Sequence, residues 1–448
     1  MDLDYMRKVR YRLRLLNSWP NKELNQPHRT LPFRHNKFLF SFWLFTLISQ
    51  VCNLILFPCC TCYSGDNCVS DADTGASLRI LRMLFVVLQI QYIRNNTGKL
   101  SFFELGHSYI TALITVINVQ RVTLMWKKEY RELGRLFVQE MHLLYHKNMS
   151  EYAMKTYNQV HNICKLFTNY LLLQMSVGVF LFNTTPMLHN LTTGMYSRNL
   201  PVNGTFVHSC YYALPFDYTT NFIGYLVVFF MNWVLTYDAG CCFCVFDLYI
   251  SLIVFHAWGH LKILDYHLRH FPLPAMAGKV NEITNPVMYS EEESKEVTAL
   301  LKKHINHHHI IMKLVQSSSD AFGSVLCAYF TFHQVCCCIL LLECSAMDKT
   351  SLMEYGVLTM IVFQQLMQVS IVFELLGSKS EVLMDAAYGL PWEYMNVSNR
   401  KMVLFFLYNV QTPIAVKAAG LVPVGVQTMA GILKTSVSYF VMLRAKSD

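Results

Sequence analysis

Four histidines, His304, His307, His308 and His309, crowd into one short stretch. On a helix, positions 304, 307 and 308 share a face, because residues three and four apart are neighbours. Imidazoles so spaced could begin a transition-metal site. No cysteine or carboxylate at zinc-site spacing completes the set. A solvated helix face is therefore the expectation, with no metal. The cysteines also bunch, at Cys59, Cys60, Cys62 and Cys68, at Cys241, Cys242 and Cys244, and at Cys336, Cys337 and Cys338. The last two groups fall in or beside apolar runs, where cysteine behaves as a small hydrophobe. The first group, with Cys210 and Cys344, is expected on the oxidising side, where disulfides form, and no pairing can be deduced. No phosphate-binding glycine loop, nucleophile elbow or zinc-protease motif is present. The apolar runs are nearly free of Asp and Glu, which counts against an enzyme and against a proton-coupled transporter alike. No catalytic residue and no cofactor are expected.

What the chain does offer is aromatic and hydroxylic. His107, Tyr109, Thr111 and Thr115 lie in one apolar run, Gln174, Met175 and Phe180 in the next. Tyr211, Tyr212, Phe216 and Tyr218 precede a third run that opens with Phe222 and Tyr225, and Tyr355 and Thr359 open a later one. Such a cup would suit a small apolar ligand bearing one polar group. Plain helix packing with an interfacial aromatic belt is the competing reading of the same residues.

The final apolar run carries a second pattern. Gln427, Gly431, Thr435, Ser438, Met442 and Ala445 recur at spacings of three and four, which is one face of a helix. Met429, Ile432, Leu433, Val437, Phe440 and Leu443 make up the other side. A small and polar stripe on a membrane helix either packs on a neighbour or faces water. Lys434 sits near mid-helix and is expected to angle into a cleft or subunit seam.

These residues need membrane helices to position them. Of 448 residues, 53% are hydrophobic and only 15% charged, against about 25% charged in soluble chains. Seven runs are long enough to span: Phe38–Phe57, His107–Trp126, Phe167–Phe182, Asn221–Phe243, Gly323–Leu342, Tyr355–Phe373 and Val422–Leu443. An eighth, Ile80–Tyr92, is short and carries Arg82 within it and Arg79 just before it, so it reads as interfacial or re-entrant. No cleavable signal is visible in the basic first 37 residues.

Cations crowd the amino-terminal segment and the second-to-third and fourth-to-fifth connections, whereas 186–220 holds only Arg198. The positive-inside rule then places the amino terminus in the cytoplasm and the carboxy terminus outside. The net charge of +8 is loop bias and not a nucleic-acid footprint. Of the glycosylation sequons, Asn95, Asn190 and Asn203 fall outside on this topology, and Asn148 and Asn396 inside.

The chain thus divides into a cytoplasmic segment 1–37, a first span 38–58 and an extracellular connection 59–106 that holds segment 80–92. Spans two to six with their helical extensions occupy 107–376, a cytoplasmic anchor helix and linker 377–421, and the last span 422–448. Apolar periodicity continues beyond the fourth span to Leu268, breaks at Pro272 and Pro274, resumes after Glu291–Glu293 and recurs at Arg400–Val410. These are helices projecting into the cytoplasm, either as an assembly hub or as ordinary amphipathic surface.

The ending "ILKTSVSYFVMLR" resembles the last helix of insect odorant receptors. So do "LPFDYTT", Asp247 and "LPWEYM" followed by "NRKMVLFFLYNVQTPIAVKAAG". The stretches "RYRLRLLNSWPNKEL" and "LSFFELGHSYI" are similar to moth sex-pheromone receptors. The resemblance covers nearly the whole chain. It implies an all-α membrane protein of seven helices whose cytoplasmic extensions form an anchor. It implies a tuning subunit joined to the co-receptor (Orco) in a heterotetrameric, ligand-gated, non-selective cation channel passing Na⁺, K⁺ and Ca²⁺. A small hydrophobic volatile would bind in an outer-leaflet pocket, and the seventh helices would line the pore. The setting implied is the plasma membrane of an olfactory neuron dendrite, among membrane lipid.

Matched to the co-receptor's narrow apolar gate, Met442 and Lys446 fall at the mouth, where Lys446 departs from the pattern. The residues from Cys59 to Asn96 depart further, because moth members link their first two spans briefly. A G-protein-coupled receptor and a small-solute transporter are the competing classes.

Overall fold

The computed structural model describes residues 3–15, 19, 24, 71–100, 102–197, 201, 204–275, 288–345 and 349–447. The predicted first span, the cysteines at 59–68 and Asn203 lie outside the described residues. The helices are α1 Asp4–Leu15, α2 Asp71–Asn96, α3 Phe102–Thr123, α4 Lys128–Arg135, α5 Glu151–Thr192 and α6 Phe222–Arg269. They continue with α7 Glu291–Ser345, α8 Lys349–Tyr388, α9 Val397–Val410 and α10 Val426–Ser447. One small hairpin, β1 Lys417–Ala418 with β2 Val422–Pro423, precedes α10. Among the described residues, four helices are long and apolar enough to cross a membrane, or five if a bent pair at residues 105–149 counts as one.

The run Ile80–Tyr92 is longer in the structure than its apolar residues suggest. It is the apolar part of a 26-residue helix, α2, about 39 Å long at 1.5 Å per residue. Arg82, which counts against a span in the sequence, meets Asp238 of α6 in a bidentate pair at 2.6 and 2.8 Å. The charge is thus neutralised where it is buried.

The chain folds as two compact units. One comprises Pro20–Val119 and Val179–Ala239. Its core gathers Phe85 and Leu88 of α2 around Cys210, Tyr212, Tyr218, Val228 and Met231.

The other unit comprises Met1–Trp19, Gln120–Gly178 and Gly240–Asp448. Here Tyr130 of α4 takes edge contacts from Tyr249 and Phe322. The amphipathic α1 buries Tyr5, Met6, Val9 and Leu13. Arg121 of α3 is fully buried in the same unit. It bonds Asp247 of α6 at 2.9 Å and the Phe243 carbonyl at 2.7 Å. Its guanidinium lies 4.4 Å from the Phe243 ring centroid and 5.1 Å from that of Tyr329 on α7. Sequence reading marks Asp247 but not its partner.

The segment between α9 and α10 is sewn to its neighbours through backbone N–H groups. Ile414 N donates to Ser380 Oγ at 2.8 Å, Lys417 N to Ser319 Oγ at 3.1 Å and Ala419 N to the Gly323 carbonyl at 2.9 Å. A Cβ on Gly323 would stand 3.1 Å from the Lys417 carbonyl, so a side chain there would have to push the segment back by a few tenths of an ångström. The turn 418–421 closes with Leu421 N on the Ala418 carbonyl at 3.0 Å, and both central residues have positive φ, 50° at Ala419 and 73° at Gly420. That geometry favours glycine or asparagine at both places. Ala419→Gly should therefore stabilise the protein by about 0.5–1 kcal/mol, the left-handed strain relieved less the entropy glycine adds. Thermal unfolding of the purified chain measures it, and an unchanged or lower midpoint contradicts the strain.

Candidate ligand site and pore face

The motif Leu214–Thr220 builds the joint into α6. Asp217 Oδ1 accepts from Thr219 N at 2.8 Å, Thr219 Oγ1 at 2.9 Å and Thr220 N at 3.2 Å, and Oδ2 accepts from Thr220 Oγ1. These bonds, the Thr220 hydroxyl foremost, pull its pKa down to about 2. Asn221 then caps α6, its Oδ1 accepting from Ile223 N at 2.9 Å. The Tyr218 hydroxyl donates to the Tyr212 carbonyl at 2.7 Å and accepts from Tyr212 N at 3.1 Å.

Beside this joint sits a stack of rings. Phe206 lies on Tyr225 with centroids 4.4 Å apart, and the Tyr196 and Tyr225 hydroxyls are 2.5 Å apart. His208 donates from Nε2 to the Tyr218 carbonyl at 3.0 Å. Burial pushes its pKa down to about 4, so the ring is neutral at pH 7.

The predicted ligand residues fall out as follows within the first unit. His107 bonds the Ser209 carbonyl at 2.6 Å and stacks on Phe182. Thr111 is buried and turns its hydroxyl to the Ser108 carbonyl, as Thr115 does to that of Thr111. Tyr109 is half-buried. Tyr212 and Tyr225 are each 2% exposed and belong to the packed core. Phe216 packs at its edge, whereas Phe180 and Phe222 are exposed.

In the second unit Gln174 and Gln364 exchange amide hydrogen bonds at 2.5 and 3.2 Å. Met175 is buried and Thr359 half-buried. The Tyr355 side chain lies outside the described residues. Two cavities, about 200 and 450 Å³, lie in this unit, and none of the predicted ligand residues lines either.

Asn95 is exposed. Asn190 is a correction. It is fully buried, its Nδ2 donates to the Val207 carbonyl at 2.9 Å and its Oδ1 accepts from Val207 N at 2.8 Å. A glycan on that nitrogen would displace both bonds.

The histidine run is not a solvated face either. His304 and His308 are buried, with His304 stacked on His267 and His308 edge-on to Phe406. His307 Nε2 is 3.0 Å from His260 Nδ1. Among the described residues no group of three ligands could hold a metal.

On α10, Gln427, Gly431, Thr435, Ser438 and Met442 are all exposed. Ala445 and Lys446 continue the helix, their side chains outside the described residues. The opposite side is held by α7: Ile432 and Ser436 are buried, and Gln334 Nε2 donates to Ser436 Oγ at 3.0 Å. Sequence reading puts Val437 on that packed side, but it is 50% exposed. At the start of α10, Val426 N donates to Glu374 Oε2 of α8 at 3.0 Å, where a carboxylate suits the positive end of the helix dipole.

A predominantly helical, multi-pass membrane protein is what these long apolar helices define, and solved structures share the fold. The insect olfactory receptor OR5 from Machilis hrabei matches with a TM-score of 0.66 at 12% identity, over 91% of this chain and 99% of that one. The same receptor in complex with eugenol matches with a TM-score of 0.63 at 13% identity, over 99% of each chain. By sequence, no curated protein is similar. The family profile described as 7tm Odorant receptor matches residues 101–437. The chain belongs to the odorant receptor family, and it is a receptor and not an enzyme.

Proposed function

We propose that this chain is the odorant-binding tuning subunit of a heteromeric, ligand-gated cation channel. It pairs with the family's common co-receptor subunit in the plasma membrane of an olfactory neuron dendrite. Among the described residues, the seven helices of 22 residues or more, α2, α3, α5, α6, α7, α8 and α10, are the crossings. In this reading α2 takes the first place, joined to α3 through residues 97–101 alone.

The observation that carries the proposal is the split character of α10. One edge is bound to α7 through Ser436 and Gln334, while Gln427, Gly431, Thr435 and Ser438 stay exposed. A membrane helix with an uncovered polar edge faces water or another polar helix. Repeated around a symmetry axis, that edge lines a path for Na⁺, K⁺ and Ca²⁺. The base of α10 is fixed by Glu374 and the preceding hairpin, so the gating movement falls toward Met442 and beyond. The exposed side of α9, with Val397, Leu404, Phe405 and Tyr408, supplies apolar surface for joining subunits in the anchor.

A small hydrophobic volatile, of the pheromone kind, binds beside His107, Tyr109, Phe180 and Phe222 of the first unit. It opens the channel only by binding the open state better than the closed one.

Thr435→Cys and Ser438→Cys subunits, expressed with the co-receptor, test the central claim. A charged thiol reagent applied during agonist current should cut that current by more than half and leave the wild type unaffected. Currents that persist unchanged in both variants overturn the pore assignment.

A further inference from the structure

The buried face of α1 ends in a hydrogen-bond node whose protonation state can be read from geometry. Tyr5 Oη lies 2.9 Å from His142 Nε2 and 3.1 Å from His256 Nε2. Each ring's other nitrogen is already committed. His256 Nδ1 accepts from Leu143 N at 3.2 Å, and His142 Nδ1 accepts from Leu144 N at 3.1 Å. A nitrogen that accepts a backbone N–H carries no hydrogen, so in both rings the hydrogen sits on Nε2. Both rings then donate to the one tyrosine oxygen, and the hydroxyl hydrogen is left for Cys164, the thiol within its hydrogen-bonding reach. The node closes only when both imidazoles are neutral.

We propose that Tyr5, His142 and His256 form a proton-released latch that docks α1 at neutral pH and loosens it as the surrounding solution acidifies. A proton from water on either Nδ1 would set an N–H against a backbone N–H and leave two donors facing each other. The two ring centroids are 4.0 Å apart, with the planes tilted by 42°, so two cations would also repel. Other titratable groups around the node make relief no easier. His161 and Cys164 on α5 flank Tyr5, and His260 on α6 and His146 lie close enough to disfavour a charge on His142. Among the described residues no carboxylate bonds either ring. Burial, with the neighbouring histidines, holds His142 down to about 3 and His256 well below its usual range.

The sign follows. A base whose docked pKa is depressed favours docking fully above its free value, near 6.5, and loses that contribution as the pH falls toward the docked value. From pH 7.5 to 5.5 each histidine that is freed on release shifts the equilibrium about tenfold, and the two together about a hundredfold. Met6, Val9 and Leu13 stay apolar throughout, so the shift enlarges a minor open population without emptying the docked one.

Amide hydrogen exchange of the purified full-length chain, corrected for the intrinsic pH dependence of exchange, reads this directly. Protection of the α1 amides should fall about a hundredfold between pH 7.5 and 5.5, with no such fall in α9. His142→Gln should reduce the change to about tenfold, and His142→Gln with His256→Gln should abolish it. Tyr5→Phe should lower protection at both pH values and keep the pH dependence, which separates the latch from a general loss of fold. Flat wild-type protection overturns the proposal. So does a full pH response in His142→Gln.

Discussion

Arg121→Ala is expected to cost 3–5 kcal/mol, the usual penalty for removing one partner of a buried ion pair, and to leave little of the receptor at the cell surface. Three losses combine. The Asp247 carboxylate, 2.9 Å away, loses its counter-charge and must either stay buried as an unpaired anion or take up a proton. The Phe243 carbonyl loses its donor at 2.7 Å. The rings of Phe243 and Tyr329 lose the guanidinium packed on them. Because α3, α6 and α7 all meet at this side chain, no single helix can close the gap.

Asp247→Asn should hurt less, since it keeps the shape and an amide oxygen that can still accept from the Arg121 guanidinium, at the cost of leaving that cation without its counter-charge. Arg121→Met combined with Asp247→Leu should recover part of the stability that Arg121→Met alone loses, because the pair's value lies mostly in its mutual neutralisation. Surface biotinylation and thermal unfolding of the four variants test this together. A wild-type midpoint for Arg121→Ala would remove the ion pair from any account of the fold.

How much of this was open to sequence reading depends on whether the signal is local. The long helices announce themselves by apolar runs, and Pro272 and Pro274 mark the end of α6 as Glu291–Glu293 mark the start of α7. The exposed edge of α10 follows from spacing alone. Pairings across the chain do not. Arg82 looks too polar for a buried helix until Asp238 is seen beside it. The small hydroxyl of Ser436 reads like its neighbours Thr435 and Ser438, yet Gln334 makes it the buried one. The histidines at 304–308 look solvated because their partners, His267, His260 and Phe406, come from other helices.

The ligand cup illustrates the same limit from the other side. Tyr212 and Tyr225 have the right chemistry for a volatile, but both are consumed by packing and by hydrogen bonds within their own unit. Phe180 and Phe222 remain exposed. Aromatic content alone therefore does not separate packed rings from exposed ones.

Gly224→Ala carries the second large effect. The position lies three residues inside α6 with its Cα hydrogen against the loop that feeds the helix. A Cβ there would collide with the Asp217 carbonyl oxygen and sit 2.9 Å from Tyr218 Cα. Both obstacles are backbone, and neither can swing aside as a side chain would. Asp217 is itself held by Thr219 and Thr220, and Tyr218 is pinned to Tyr212 by two bonds. The added methyl must therefore push the whole joint, and the ring stack of Phe206 and Tyr225 rests on the same turn of α6. Overpacking of this kind costs about 1–3 kcal/mol when a core can relax, and the upper end applies where it cannot.

The expected result is a lowered unfolding midpoint and a loss of agonist current greater than the loss of surface protein. Asp217→Ala is the control that frees the loop from its carboxylate anchor. Added to Gly224→Ala it should restore part of the midpoint, because a slack loop can move away from the methyl. If the double variant is no better than the sum of the two single ones, the close approach of loop and helix is not what makes glycine necessary there.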